Sequence, residues 1–212
     1  MMTIDFNDAV WLNEPARHEV TADRVTISTE PHTDLWQRSY YGFRNDNAPM
    51  LLVETLENFS FTSRVVFSYQ GLFDQCGLVI YESSDSWFKA SIEFENTSFS
   101  RLGSVVTNHG YSDWATTDVE TPNQIWYRLS RRGPDFLVES SHDGQEFRQM
   151  RVFHLHSLGE TSAEMGALYP PAPAERPVHF GLYACSPLDS SFTAVFDQFS
   201  LVPSLWRPHG SE

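Results

Sequence analysis

With 212 residues and 24.3 kDa, the chain is long enough for one substantial domain and is expected to form a single unit over 1–212. A hydrophobic fraction of 41%, with 16 Phe, 8 Tyr and 6 Trp, excludes a disordered chain. Its 28 acidic and 14 basic residues give a net charge of −14, which repels phosphate backbones and anionic lipid, so no nucleic acid and no membrane is an expected partner.

At the N-terminus, "MMTIDFNDAVWLNEP" has neither a basic start nor an apolar run of signal-peptide length. No later stretch approaches the ~20 apolar residues of a membrane span. Cys76 and Cys185 lie in apolar runs and read as buried reduced thiols, which fits a cytoplasmic location. Candidate strands then follow at 24–29, 35–43, 50–56, 59–69, 75–82, 86–95, 101–107, 124–131, 135–141, 146–153, 178–185 and 192–202. "RRGPDF" and "SHDGQEF" mark turns, the second placing Asp143-Gly144 where a hairpin wants positive φ, so a three-strand meander is expected from Trp126 to Phe153. Short helical turns fit only within 111–121 or 157–170. The segment 155–177, with four prolines, is excluded from a central strand and reads as a long surface loop bordering a site or a partner. Many short strands and few helices predict an all-β fold, a jelly-roll sandwich of two antiparallel sheets whose outer face forms a groove. Homodimerisation through an exposed sheet face is compatible with it.

The segments "TDLWQRSYYGFRNDN" (33–47), "CGLVIYESSDSWFKASIEFE" (76–95), "GSVVTNHGYSDWA" (103–115), "WYRLSRRGPDFLVESSHDGQEFRQMR" (126–151), "FGLYACSP" (180–187) and "FTAVFDQFSL" (192–201) occur in an order that resembles the YesU-like, or regulation-of-enolase-like, family. That family is similar in fold to the concanavalin A-like lectins and glucanases, and the resemblance covers nearly the whole chain. It implies a concanavalin A-like jelly roll. It implies little about activity, because members largely lack an assigned one. In one departure, Asn47 is followed by Ala48 and Pro49 where the family pattern leads into a His, so any role of that His is absent or displaced.

Within "SWFKASIEFEN" (86–96), a period of two puts Phe88, Ala90, Ile92 and Phe94 on a core face and Trp87, Lys89, Ser91, Glu93 and Glu95 on the other. Glycoside hydrolysis needs two carboxyl groups about 5–5.5 Å or about 6.5–9.5 Å apart. Glu93 and Glu95, at i and i+2, are spaced by about 6.6 Å along the strand. The glucanases that the family resembles carry Glu-x-Asp-x-x-Glu on one strand. Here the run from Glu93 is "EFENTS": Glu95 takes the middle place, but Ser98, or Thr97 in the shorter version, stands where the second catalytic acid belongs. The row therefore reads either as solvated sheet or as a binding floor on which a sugar stacks against Trp87.

Other candidates are His109, Asp113 and Trp114 in "HGYSDW", read as a loop rimming the groove, with Trp36 and Arg38 from the 33–47 segment and Gln75. Arg128, Arg132, Arg148 and Arg151 read chiefly as neutralising nearby acids. His154 and His156 share a strand face but lack the further ligands of a zinc site, and no phosphate loop, dinucleotide fingerprint or nucleophile elbow is present, so no metal and no cofactor is expected. The function expected is non-catalytic, lectin-like carbohydrate binding. A glycoside hydrolase and an intracellular regulatory protein are the alternatives.

Overall fold

The computed structural model describes residues 4–208; of the N-terminal stretch read above, residues 1–3 lie outside the described residues. The strands are β1 (Val10–Leu12), β2 (His18–Val20), β3 (Arg24–Ser28), β4 (Leu35–Gln37), β5 (Arg44–Asp46), β6 (Met50–Thr55), β7 (Phe59–Val66), β8 (Gln75–Ser83), β9 (Ser86–Phe94), β10 (Ser100–Asn108), β11 (Tyr111–Val119), β12 (Gln124–Arg132), β13 (Asp135–Ser141), β14 (Arg148–His154), β15 (Val178–Cys185) and β16 (Thr193–Pro203). They form two antiparallel seven-stranded sheets, in the orders β1-β6-β15-β8-β9-β10-β11 and β14-β13-β12-β7-β16-β3-β2, with β4-β5 as a separate hairpin. The expected jelly-roll sandwich is the fold observed.

Period-two alternation builds the core. Even residues of β9 (Phe88, Ala90, Ile92) and odd residues of β7 (Phe59, Phe61, Val65) are buried in one cluster between the sheets. Phe59 stacks on Phe180 with ring centroids 4.2 Å apart, and Phe88 on Phe153 at 4.1 Å. Each such ring contributes about 1.5–3 kcal/mol through burial. The β12–β14 meander forms as predicted, with φ of +61° at Gly133 and +74° at Gly144.

Three readings change. Residues 35–43 are not one strand: β4 ends at Gln37, Arg38 and Tyr40 take left-handed φ (58° and 61°), and the chain returns as β5. Residues 111–119, read as loop or helical turn, form the edge strand β11, whose mostly exposed polar side chains give no apolar alternation. β1 and β2, three residues each, were too short to register.

Within 155–177 the chain makes a short 3-10 turn (His156–Leu158) and a helix, α1 (Ala163–Ala167). Arg132 docks this excursion by donating to the Gly166 carbonyl at 3.1 Å. Cys76 and Cys185 are buried free thiols. Among the described residues no helix is long and apolar enough to cross a membrane.

Candidate functional site

The β4–β5 hairpin lies over the outer face of the first sheet. Leu35 descends from it into a second core with Ala48, Met50, Leu52, Val79, Trp87, Val105, Tyr183 and Cys185. Trp36, one residue on, takes the opposite face and lines a cavity of about 560 Å³ between hairpin and sheet.

Strand register builds the floor. One cross-strand row reads Tyr183, Gly77, Ser91, Gly103, Thr116. Its small middle members give the cavity depth. A Cβ at Gly103 would sit 3.0 Å from Trp114 Nε1, so this glycine lets the indole lie close to the sheet. The next row towards one end places Gln75, Glu93 and Arg101 side by side. The row at the other end carries Lys89, Val105 and Trp114. Lys89 and Glu93, four residues apart on β9, are separated by about 13 Å along the strand.

Several polar groups in the cavity are held by side-chain partners. Gln75 Nε2 donates to Glu93 Oε2 at 2.9 Å, and Gln75 Oε1 accepts from the Tyr183 hydroxyl at 3.1 Å. The Lys89 ammonium lies 3.5 Å from Asp34 Oδ1 and 5.9 Å from the ring centres of both Trp87 and Tyr183. Asp34 Oδ2 in turn accepts from Asn45 Nδ2 at 3.0 Å. Arg101 pairs with Glu95 (Nε to Oε1, 2.6 Å) while its guanidinium carbon lies 5.5 Å from the Trp114 ring centre. Burial pushes the Glu93 carboxyl from 4.5 up to about 7; Lys89 opposes this, Asp34 and Glu95 add to it, and Arg101 opposes it. Aromatic side chains close the cavity. Trp36 meets Trp114 edge-on at 6.4 Å and 88°, and Tyr41 at 5.8 Å, while Phe43 and Phe73 line the same space.

Five residues singled out in the sequence meet here: Lys89, Glu93, Gln75, Trp36 and Trp114. Glu95 stands beside them through Arg101. The remaining four are elsewhere. Trp87 was expected to present its indole to a ligand; it is 0% exposed, roofed by the hairpin, with Nε1 donating to the Ser84 carbonyl at 3.2 Å. Asp113 falls on the other face from Trp114, as strand neighbours must, and pairs with Arg151 at 2.7 Å. His109 sits in the β10–β11 turn with its ring 3.6 Å from that of His156. Arg38 turns away at its left-handed backbone to reach the Gly110 carbonyl at 2.6 Å and Asp85 at 2.9 Å. Asp34, Arg101, Tyr41 and Phe43, which no sequence pattern marks, also line the cavity, and so does Ser91 of the β9 row. Ser91 shares the period-two face of Lys89 and Glu93. Arg101 becomes a neighbour only through the β9–β10 register.

Lys89 is itself buried, as a paired cation, and not part of a solvated row. Arg128 of the meander is likewise paired, binding Glu139 through two hydrogen bonds, at 2.7 and 2.8 Å. Among the described residues no three His, Cys, Asp or Glu side chains gather as for a metal.

Fold and cavity together define a jelly-roll β-sandwich with a roofed, aromatic-walled pocket on one sheet. The chain belongs to the family described as Protein of unknown function (DUF1349), whose model matches residues 11–204. It is 29% identical to Regulation of enolase protein 1 of Saccharomyces cerevisiae over 204 residues, 96% of this chain and 93% of that protein. The crystal structure of a functionally unknown protein from Saccharomyces cerevisiae superposes with a TM-score of 0.80 at 28% identity, covering 96% of this chain and 100% of that one. The GH43 protein BlXynB from Bacillus licheniformis superposes at 0.60 with 16% identity, covering 84% of this chain but 32% of that chain, a likeness of fold alone.

Proposed function

We propose that the cavity beneath the β4–β5 hairpin binds a carbohydrate without converting it. The observation that carries this reading is the juxtaposition of indoles Trp36 and Trp114 with Gln75, Ser91, Glu93, Lys89 and Asp34 around one space. A pyranose offers C–H faces that stack on aromatic rings and hydroxyls that both donate and accept. Lys89 supplies donors, both hydrogens of Gln75 Nε2 being taken by Glu93 and the Phe73 carbonyl; Asp34, Ser91 and the Glu93 carboxyl supply acceptors. The Lys89 charge is matched by Asp34 and that of Arg101 by Glu95, which favours a neutral polyol over a strongly charged ligand. The name of the yeast relative concerns regulation, and a protein that holds a sugar without consuming it suits such a role.

Calorimetric titration with neutral mono- and oligosaccharides tests the proposal. A saturable response is expected, weakened about tenfold or more in Trp36→Ala. No response to any sugar overturns it.

One observation supports a second reading, an enzyme acting on sugars: the Glu93 carboxyl is raised to about 7, in the range of a general acid, in a cavity that also holds Asp34. Turnover of chromogenic glycosides that disappears in Glu93→Gln would replace the binding reading with this one.

A further inference from the structure

We infer that the cavity is the inner end of a longer binding track, continued outward by the tip of the β4–β5 hairpin, so that the ligand is an oligosaccharide chain and not a free monosaccharide. This rests on the carbohydrate reading of the cavity and names the ligand class within it.

The hairpin tip exposes aromatic surface that the fold leaves uncovered. Tyr40 is 94% exposed, Tyr41 53% and Phe43 52%. The three rings form one continuous group: Tyr41 lies parallel to Phe43 at 5.2 Å and 8°, and Tyr40 meets Tyr41 edge-on at 4.7 Å. Tyr41 and Phe43 also line the cavity, so the hairpin-tip group is contiguous with the Trp36–Trp114 pair that walls it. Contiguous apolar surface of this kind marks a contact site. Its continuity with a pocket that stacks sugars selects the next units of the same chain as the occupant.

The tip is built to hold these rings in place. Arg38, Tyr40 and Gly42 all take left-handed φ, at 58°, 61° and 71°, a conformation disfavoured for Arg and Tyr. The turn is closed by Arg38 N–H donating to the Phe43 carbonyl at 2.6 Å and Gly42 N–H to the Arg38 carbonyl at 2.7 Å. Trp36 Nε1 donates to the Ser39 carbonyl at 2.9 Å, and Arg38 bolts the tip to the β10–β11 turn through Gly110 and to Asp85. Such preorganisation leaves little ordering entropy for a ligand to overcome.

The test is calorimetric titration of the full chain with glucose, xylose and their α-1,4- and β-1,4-linked oligomers of increasing length. The wild type is compared with Tyr40→Asn, an exposed position where Asn tolerates the left-handed backbone. Affinity is expected to rise about tenfold or more from the monosaccharide to short oligomers. Tyr40→Asn is expected to remove most of that gain and leave monosaccharide affinity unchanged, whereas Trp36→Ala weakens every length. Binding of equal strength at all lengths, or a gain untouched by Tyr40→Asn, overturns the inference but leaves the proposed function standing. Absence of binding at every length overturns the proposed function and the inference with it. A dimer seen by sedimentation and abolished by Tyr40→Asn, without length-dependent sugar binding, assigns the tip to a second copy of the chain and also overturns the inference.

Discussion

Glu93 carries a proton that an exposed glutamate would release near 4.5, because burial, helped by the nearby Asp34 and Glu95 carboxylates, raises its carboxyl to about 7. The folded state therefore retains a proton that the unfolded chain gives up. Its contribution to stability is complete below about 4.5 and falls away as the pH rises through 7, by at most ~3 kcal/mol. Glu93→Gln keeps a neutral side chain of the same shape. Thermal midpoints measured from pH 5 to pH 8 should fall for the wild type across that window more than for Glu93→Gln; parallel profiles would show that Glu93 ionises freely in the fold. Trp87 makes the complementary point. Its parity with Lys89 and Glu93 was legible from a period of two, but parity says nothing about a roof supplied by residues fifty positions earlier. Trp87→Ala accordingly should act as a core truncation, costing about 3–5 kcal/mol in denaturant unfolding, and not as the selective loss of a ligand contact.

At the scale of elements, what the sequence hid were turns made by residues that usually avoid them. "LWQRSYYGF" (35–43) alternates well enough for a strand, and only Gly42 hints at left-handed backbone. Arg38 and Tyr40 adopt it because the tip is held from outside, by the Arg38 guanidinium on the Gly110 carbonyl and Asp85. β11 is hidden in the sequence for the opposite reason: as an exposed edge it needs no apolar face, and its pairing with β10 is set by backbone hydrogen bonds that composition does not reveal. The Arg38 anchor gives a direct prediction. Arg38→Ala should speed amide hydrogen exchange across 35–46 while leaving protection of β7–β9 unchanged, because the hairpin packs on the sandwich without belonging to either sheet. Equal protection in both regions would mean that the roof is fixed by Leu35 and its apolar neighbours alone.

For the whole molecule, the two-sheet sandwich was legible because Phe, Val and Ile alternate through most strands, and the meander because Gly133 and Gly144 mark its turns. The sheet order was not, since partners such as β7 and β16 lie far apart in the chain and meet only through register. Nor was the residue that ties the sheets at one end. Arg131, fully buried, donates to the carbonyls of Gly133 (2.8 Å), Thr55 (3.1 Å), Glu57 (3.4 Å) and Arg176 (2.5 Å). It thereby joins β12 of one sheet to the end of β6 and the approach to β15 in the other. Burial pulls its guanidinium down to about 10, partly offset by Glu82, so it is still fully charged at neutral pH. Five donors in a rigid fork suit four converging carbonyls, and an ammonium does not reproduce that geometry. Arg131→Met keeps an unbranched stem but removes the guanidinium and leaves those carbonyls without the donor, each costing about 1–3 kcal/mol where water does not replace it. Urea unfolding should therefore show a loss of about 3–5 kcal/mol for Arg131→Met and an intermediate loss for Arg131→Lys, at an unchanged denaturant slope. A loss below about 1 kcal/mol in Arg131→Met would mean that water reaches these carbonyls and that the sheets are held together by the aromatic core alone.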